Sequence, residues 1–415
     1  MALPNTGILH YSSPPTVGGV EMVILEHAQQ LVGHGYPVTI ISGRGSASAL
    51  PAEANYVKLA RLDSQDPLIE STTVILESGV VPDNFTHITN QLYQELIPIV
   101  REIDTLIVHN VFTKHFNLPL TAALTRLVDE GIISNCIAWC HDFTWTSPNS
   151  RIKVHDGYPW ELLKQQHPQI TYVVVSKERQ QTLATLFECP TKTICVVYNG
   201  VNPTEILGLS TESIQLSKRL QLFNADLLLL MPVRVTQAKN IEYALQVLSE
   251  IRKYINDPRL IITGPPDPHD PNNMAYYAAL LDMRKFYDLE SNVHFIYSSG
   301  IDSDKPYHIN NTVVGDLYRL ADLMFMPSHR EGFGMPILEA GLAGVQVMST
   351  AVPAAVEIGS KGVELFDADD PPRKTANSII TWTEKNLEIQ FKQKIRKRFT
   401  WEIIFKEDIA PLLLS

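Results

Sequence analysis

The chain has 415 residues, 45% of them hydrophobic, and a formal net charge of −11. This length predicts two or three domains with full apolar cores, and the negative charge argues against nucleic acid as a general partner. No apolar run reaches the roughly 18 residues of a membrane-spanning helix, and the N-terminus lacks the basic segment of a secretory signal. The spacing of the four cysteines fits neither common zinc patterns nor a disulfide framework. We therefore expect a cytoplasmic protein without a transmembrane segment.

The first elements are predicted to form a strand–helix–strand unit. Apolar runs predict strands at residues 7–12 and 38–42, and amphipathic spacing predicts a helix over residues 20–34 between them. Gly18 and Gly19 stand at the first turn, where a Rossmann-type site needs the backbone to approach its ligand closely. The pattern is not G-x-G-x-x-G, so a dinucleotide site is disfavoured.

Polar residues follow several later strands of this half. Strand-like runs are at residues 105–108, 136–140, 171–175 and 194–198. Ligands of open α/β sheets bind at the carboxyl ends of strands, which makes His109 and His141 candidate site residues. Four nearby cations could bind an acidic or phosphorylated acceptor, or could simply be solvated: Arg151, Lys153, Lys177 and Arg179.

A second α/β half is predicted after a linker at residues 203–225. Its first strand, predicted at residues 226–233, leads to Arg234, and Lys239 precedes a helix predicted over residues 240–254. Two cations at a strand end suit a leaving group that gains negative charge, because arginine grips two oxygens at once and lysine adds a point charge.

The most informative stretch lies further along this half. An apolar run at residues 321–327 predicts a buried strand, and a helix starting near Pro336 should end near Gly344. Glu331 would then lie on the loop between these elements and Glu339 on the helix.

The loop itself has the composition of a phosphate site. Gly332 and Gly334 would let the backbone approach a ligand, and the free N–H groups of the helix start suit a phosphate. Carboxylates beside a phosphate are expected to hold sugar hydroxyls, because they accept hydrogen bonds and repel the phosphate.

Two glutamates separated by seven residues, bracketing Gly-Phe-Gly-Met-Pro, resemble the signature of glycosyltransferase family 4. Arg234 and Lys239 resemble that family's Arg-x4-Lys pair. The resemblance covers nearly the whole chain and is sharpest at residues 226–358; the two prolines after Gly264 depart from the usual glycine-rich turn. It implies an α/β protein of two Rossmann-like domains facing a central cleft, the GT-B fold, that transfers sugar from a nucleotide-sugar with retention.

The resemblance also implies roles for individual residues. The catalytic set would be His141, Arg234, Lys239 and Glu331; the donor-binding set Gly19, Phe333, Gly334, Met335 and Glu339; the acceptor-side set Gly18 and His109. Among these, Glu339 would hold the ribose, Glu331 the donor sugar, and the two cations the diphosphate, so that neither a metal nor a carboxylate nucleophile is expected. The domains would be residues 1–202 with a returning helix at 399–415, and residues 203–398.

The acceptor stays open at this point. The first expectation is transfer of a hexose, with glucose from UDP-glucose as the best guess, to a saccharide in cell-surface polysaccharide biosynthesis. The alternative is transfer to a small solute or sugar phosphate that gives a soluble disaccharide. A sugar-nucleotide 2-epimerase is the candidate from another class. A basic cluster on the final helix could touch anionic lipid at the inner membrane face, or could be a solvated surface: Lys392, Lys394, Arg396, Lys397 and Arg398.

Overall fold

The computed structural model describes residues 3–302 and 305–414. The predicted loop at residues 298–311 includes Ser303 and Asp304, which lie outside these ranges. The chain divides into two compact units, Met1–Gly200 with Trp401–Ser415, and Val201–Thr400. Within the described ranges, no helix combines the length and the apolar character that crossing a membrane requires.

A parallel sheet forms the centre of the first unit. Its described strands are β1 (Thr6–Ser12), β2 (Val38–Arg44), β3 (Asn55–Lys58), β4 (Thr105–His109), β5 (Cys136–Cys140), β6 (Ile170–Val174) and β7 (Ile194–Val196). They pair in the order β3-β2-β1-β4-β5-β6-β7, in which the order of the first strands reverses beside β1 as in Rossmann folds.

Helices cover both faces of this sheet. They are α1 (Gly19–Gly33), α2 (Pro67–Glu77), α3 (Phe85–Val100), α4 (Leu118–Asp129) and α5 (Lys177–Leu186). Successive strand residues point to opposite faces, so Leu9 of β1 packs in the core that contains α3 and α4, while Ile8 packs in the core that contains α1. Burial on both faces explains why the central strands β4, β5 and β6 are nearly continuous apolar runs.

The second unit is organised in the same way. Its described strands are β8 (Leu227–Met231), β9 (Pro258–Ile262), β10 (Val293–Phe295), β11 (Leu323–Met326), β12 (Gln346–Thr350) and β13 (Val363–Phe366), parallel in the order β10-β9-β8-β11-β12-β13. Its helices are α6 (Pro203–Ile206), α7 (Thr211–Arg219), α8 (Ile241–Ile251), α9 (Asn273–Phe286), α10 (Asn311–Leu320), α11 (Met335–Ala343), α12 (Pro353–Gly359), α13 (Pro372–Lys385) and α14 (Leu387–Arg398). The predicted α/β fold of two Rossmann-like domains is confirmed.

The C-terminal segment, for which the sequence predicts helical structure over residues 387–414, contains a break. After α14 the backbone leaves the helix, because the Phe399 carbonyl accepts a hydrogen bond from the Val201 N–H at 2.7 Å and Thr400 forms a parallel bridge with Val201. The chain then continues as α15 (Trp401–Ile404), a π-helical turn (Phe405–Ile409) and α16 (Ala410–Leu413), which pack in the first unit.

Candidate active site

In the second unit, the loops after β8 and β11 meet at one edge of the sheet because these strands are neighbours. Lys239 Nζ donates to both carboxylate oxygens of Glu331, at 2.7 and 2.8 Å, and the two side chains are only 21% and 5% exposed. Ser328 Oγ donates to the same carboxylate at 2.6 Å. Lys239, predicted to bind the donor diphosphate, and Glu331, predicted to bind the donor sugar, therefore form one ion pair.

Arg234 is held much more loosely beside this ion pair. Its Nη1 lies 3.9 Å from Asp267 Oδ1, and its side chain is 60% exposed. The turn after β9 packs against the backbone of this residue, since a Cβ at Gly264 would lie 2.7 Å from the Arg234 Cα. The guanidinium itself is exposed, so it can turn toward a ligand without breaking a buried contact.

The loop before α11 uses its two glycines differently. Gly334 has φ +78°, in the left-handed region, and a Cβ there would lie 2.8 Å from Ala354 Cβ. At Gly332 a Cβ would meet open space. Phe333 and Met335 are 64% and 53% exposed. The first glycine thus leaves room for a ligand, and the second is required by the fold.

The N-terminus of α11 is open to an anion. Among the described residues, no side chain caps this helix end. Its first N–H groups and the helix dipole therefore offer partial positive charge on the side of the loop that holds Glu331.

Glu339, on the exposed side of α11, is oriented by a residue that the sequence analysis missed. Its Oε2 accepts a hydrogen bond from the Tyr318 hydroxyl at 2.8 Å, and Tyr318 is buried in α10. Burial, and then the bond to Glu339, raise the pKa of Tyr318, so it stays a donor at neutral pH. A carboxylate has about four lone-pair positions, which leaves Glu339 capacity for a ligand.

The first unit carries four packed imidazoles, His10, His27, His109 and His141, which we call the histidine cluster. His109 Nδ1 lies 3.1 Å from His141 Nε2, and these two rings stack with their centroids 5.4 Å apart. His10 Nδ1 lies 2.9 Å from the His109 carbonyl oxygen, to which it donates. The His27 ring centroid is 5.4 Å from that of His109. The structure thus joins the two predicted histidines directly and adds two that were not predicted.

Burial keeps the histidine cluster uncharged at neutral pH. It lowers the pKa of His141 to about 4 and that of His27 to about 3, and it holds the pKa of His109 well below its usual range. Burial also lowers the pKa of His10, although its backbone hydrogen bond and the charge of Glu21 oppose this. At pH 7 these rings therefore act as neutral donors and acceptors.

The polypeptide around His141 is fixed by a residue in a rare conformation. Asn110 has φ +59°, and its Oδ1 accepts from the His141 N–H at 2.8 Å and from the Asp142 N–H at 3.3 Å. Asparagine tolerates the left-handed region better than most residues. The loops after β4 and β5 are thereby tied together.

The glycine pair at the start of α1 also divides into two roles. A Cβ at Gly18 would overlap Oε2 of Glu21, whose carboxylate accepts from Ser12 Oγ at 2.5 Å. At Gly19 a Cβ would meet nothing within 4 Å. Gly18 therefore serves internal packing, while Gly19 leaves open space at the end of β1.

Several cations considered from the sequence are engaged inside their own unit. Lys153 Nζ lies 3.0 Å from Glu77 Oε1, and Arg179 Nη2 lies 3.2 Å from Asp142 Oδ1. On α14, Arg396 is buried against Asp322 at 2.7 Å, and Lys392 Nζ donates to the Ala321 carbonyl at 2.7 Å. Another α14 cation, Lys397, pairs with Asp226. These contacts leave Lys394 and Arg398 for the predicted lipid contact.

In the described ranges, no group of three or more His, Cys, Asp or Glu side chains could hold a metal ion.

Each unit matches a family model of known glycosyltransferases. Residues 17–205 match the family model described as Glycosyltransferase Family 4, and residues 213–398 match the one described as Glycosyl transferases group 1. Mannosylglucosylglycerate synthase of Petrotoga mobilis is 26% identical over 351 residues, which is 79% of each chain. An uncharacterized glycosyltransferase of Methanocaldococcus jannaschii is 25% identical over 57% of this chain and 58% of its own length. The crystal structure of a glycosyltransferase from Rickettsia africae aligns over 99% of both chains at 18% identity, with a TM-score of 0.38.

Proposed function

The protein is a glycosyltransferase, and we propose that it transfers a hexose from a nucleoside-diphosphate sugar with retention of the anomeric configuration. The observation that carries this proposal is the ion pair of Lys239 with Glu331. It stands beside the exposed Arg234 and the uncapped start of α11. The loops after β8 and β11, with α11, thus carry two cations, an uncapped helix start and two carboxylates, the groups that a diphosphate joined to a sugar requires.

Donor binding would exchange the partners of this ion pair. Diphosphate oxygens compete with Glu331 for Lys239 Nζ, and the released carboxylate can accept hydrogen bonds from sugar hydroxyls. Negative charge grows on the diphosphate as the sugar–phosphate bond breaks. Fixed cations therefore bind the transition state more tightly than the ground state, which is what accelerates the reaction.

The neutral histidine cluster helps to define the route of the proton that the acceptor loses. With a pKa of about 4, His141 is neither charged nor a strong acid at pH 7, so it suits a hydrogen bond to a sugar hydroxyl. The acceptor's proton would then pass to the departing phosphate, with attack from the leaving-group side. This route needs no carboxylate nucleophile and preserves the anomeric configuration.

Glucose from UDP-glucose is the first donor to test, and a small solute is the acceptor class that gains most support. The relative that matches 79% of both chains is named for mannosylglucosylglycerate synthesis. Transfer to a saccharide in cell-surface polysaccharide assembly, the first expectation from the sequence, becomes the alternative. Independence from metal ions is likewise a prediction, checked by turnover in the presence of EDTA.

The experiment combines a donor panel with product stereochemistry. Release of nucleoside diphosphate from UDP-, ADP- and GDP-linked hexoses would be measured with mixed acceptors, and the product linkage assigned by NMR. We expect one α-linked donor to give an α-linked product. A β-linked product would rule out retention. Interconversion of the donor sugar without any acceptor would instead support the 2-epimerase.

A further inference from the structure

Lys114, in the loop that follows β4, is a largely buried lysine without an anionic partner. The residue is 9% exposed. Among the described residues, Lys114 Nζ has no carboxylate within ion-pair distance and no hydrogen-bond acceptor, and it lies 4.8 Å from the centroid of the Phe116 ring. Lysines are seldom buried unless they are paired, because removing an ammonium from water is costly.

The carboxylates near Lys114 already serve other cations. Asp142 pairs with Arg179 at 3.2 Å, and Glu77 pairs with Lys153 at 3.0 Å. Burial lowers the pKa of Lys114, Asp142 raises it, and the charges of Arg179 and Lys153 lower it further. Arg179 also lies 3.6 Å from Glu178 Oε2, so of these three cations Lys114 alone has no carboxylate within 4.0 Å among the described residues.

This charge lies on the same strand-end edge as His141. Asn110, four residues before Lys114, accepts from the His141 N–H, and Thr113 Oγ1 donates to the Asp142 carbonyl at 2.8 Å. The Thr144 N–H donates to the Thr113 carbonyl at 2.9 Å. The loop carrying Lys114 is therefore fixed to the segment carrying His141 before any ligand arrives.

We propose that Lys114, assisted by Arg179 and Lys153, binds the carboxylate or phosphate group of a small anionic acceptor. The proposal rests on the glycosyltransferase function and narrows its acceptor to an anionic molecule. The cations of the second unit, Arg234 and Lys239, are already assigned to the donor diphosphate. An acceptor oxyanion would supply the partner that Lys114 lacks, in a partly dehydrated place where a charge-assisted hydrogen bond is strong.

The competing explanation is a lysine that only packs. Its four-carbon stem could cover apolar surface while the ammonium contacts the Phe116 ring. That explanation predicts no difference between charged and uncharged ligands, so matched pairs of compounds separate the two.

The experiment measures binding by calorimetry to the full-length protein. The probes are D-glycerate against glycerol, and glucose 6-phosphate against glucose. We expect at least one anion to bind at least 10-fold more tightly than its uncharged counterpart. Lys114→Met should lose roughly 10- to 100-fold of that affinity, the effect of losing one hydrogen bond to a charged group, and Lys114→Arg should keep most of it. The matched control is Lys192→Met, an exposed lysine of the same unit, with affinity within 2-fold of wild type.

Several outcomes would overturn the proposal. Equal affinity for charged and uncharged probes would do so, as would wild-type anion affinity in Lys114→Met. If Lys114→Met does not fold, Arg179→Met takes its place, with an expected loss of 3- to 10-fold; an unchanged affinity in that variant would count against the anion site. The better anion, carboxylate or phosphate, identifies the acceptor group.

A turnover assay separates this proposal from the proposed function. Anion binding that depends on Lys114, without nucleotide release from any donor, would contradict the hexosyltransferase and leave the anion site standing. Nucleotide release with uncharged acceptors, equal in wild type and Lys114→Met, would support the transferase and reject the anion site.

Discussion

Lys239 Nζ lies within 2.8 Å of both carboxylate oxygens of Glu331, and only 5% of the Glu331 side chain is exposed. The lysine thus has a structural role in the free protein and a predicted catalytic role with donor bound. Arg234, 60% exposed, would have only the second. This difference allows the two roles to be separated by substitution.

We predict that Arg234→Ala and Lys239→Ala each lower kcat by roughly 100-fold or more, because each removes a charge that stabilises the leaving group. Only Lys239→Ala should also lower the free energy of unfolding, by about 1–3 kcal/mol, because it leaves a buried carboxylate unpaired. Steady-state kinetics and urea denaturation measure the two effects. The double variant Lys239→Ala with Glu331→Gln should recover stability but not activity. Near-normal turnover in either single variant would remove the leaving-group assignment.

The partner exchange predicts opposite effects for the two glutamates. Glu331→Gln should bind nucleoside diphosphate as tightly as wild type or more tightly, since it frees Lys239, while its KM for the donor rises. Glu339→Ala should weaken diphosphate binding by roughly 10-fold, as expected for loss of a hydrogen bond to a charged group. Tyr318→Phe, which removes the bond that orients Glu339, should have a smaller effect in the same direction. Calorimetry with the diphosphate alone measures all three, and equal losses in both glutamate variants would contradict the division of roles.

The histidine cluster predicts acid sensitivity. The unfolded chain has histidines of pKa about 6.5, whereas in the folded protein the pKa of His141 is about 4 and that of His27 about 3. Between these values the unfolded state binds more protons. Stability should therefore be complete above pH 6.5 and fall as the pH drops toward 4, by up to roughly 1.4 kcal/mol per pH unit for each histidine.

Urea denaturation at several pH values tests this expectation. His27→Leu should flatten the decline, because it removes one group that must stay uncharged to remain buried. His87→Gln, an exposed histidine of the same unit, is the control and should keep the wild-type slope. A wild-type slope in His27→Leu would show that His27 does not contribute to the acid sensitivity.

Two glycines should respond in opposite ways to alanine. Gly334→Ala should destabilise the protein by about 1–2 kcal/mol, since its left-handed backbone and the nearby Ala354 both oppose a Cβ. Gly19→Ala should fold at least as well as wild type, because its Cβ meets open space within α1. If the backbone of Gly19 approaches a ligand, the kcat/KM of Gly19→Ala should nevertheless be at least 10-fold lower than that of wild type. Gly33→Ala, at the other end of the same helix, is the control for the helix effect alone, and equal activity of the two variants would exclude a ligand at Gly19.

Regular elements with strong local signals could be predicted from the sequence. Residues 136–140 form β5 with the predicted bounds, because all five are apolar and buried. β3 was not predicted, since its residues are exposed or half-buried and carry neither a continuous nor an alternating pattern. The break after α14 depends on a backbone bridge to Val201, about two hundred residues earlier, and leaves no local signal.

Long-range contacts also limited prediction of the candidate site. The motif placed Glu331 and Lys239 at strand ends, but 92 residues separate them, so their ion pair follows only from the adjacency of β8 and β11. His27 did carry a signal that went unused, because it lies on the buried side of α1 with Ile24 and Leu31. A polar residue on an apolar helix face is the pattern that could have revealed it.

The two places where the chain passes from one unit to the other, at residues 200–201 and 400–401, have a consequence for protein engineering. Val201 and Thr400, the first and last residues of the second unit, pair with each other, and Gly200 lies against Trp401, where a Cβ would come within 2.7 Å of the Trp401 nitrogen. Residues 201–400 are thus an uninterrupted insert whose two ends adjoin, and removing it leaves flanking ends that also adjoin. The second unit could therefore be exchanged between related genes as a single cassette, with one short splice replacing it in the remaining unit.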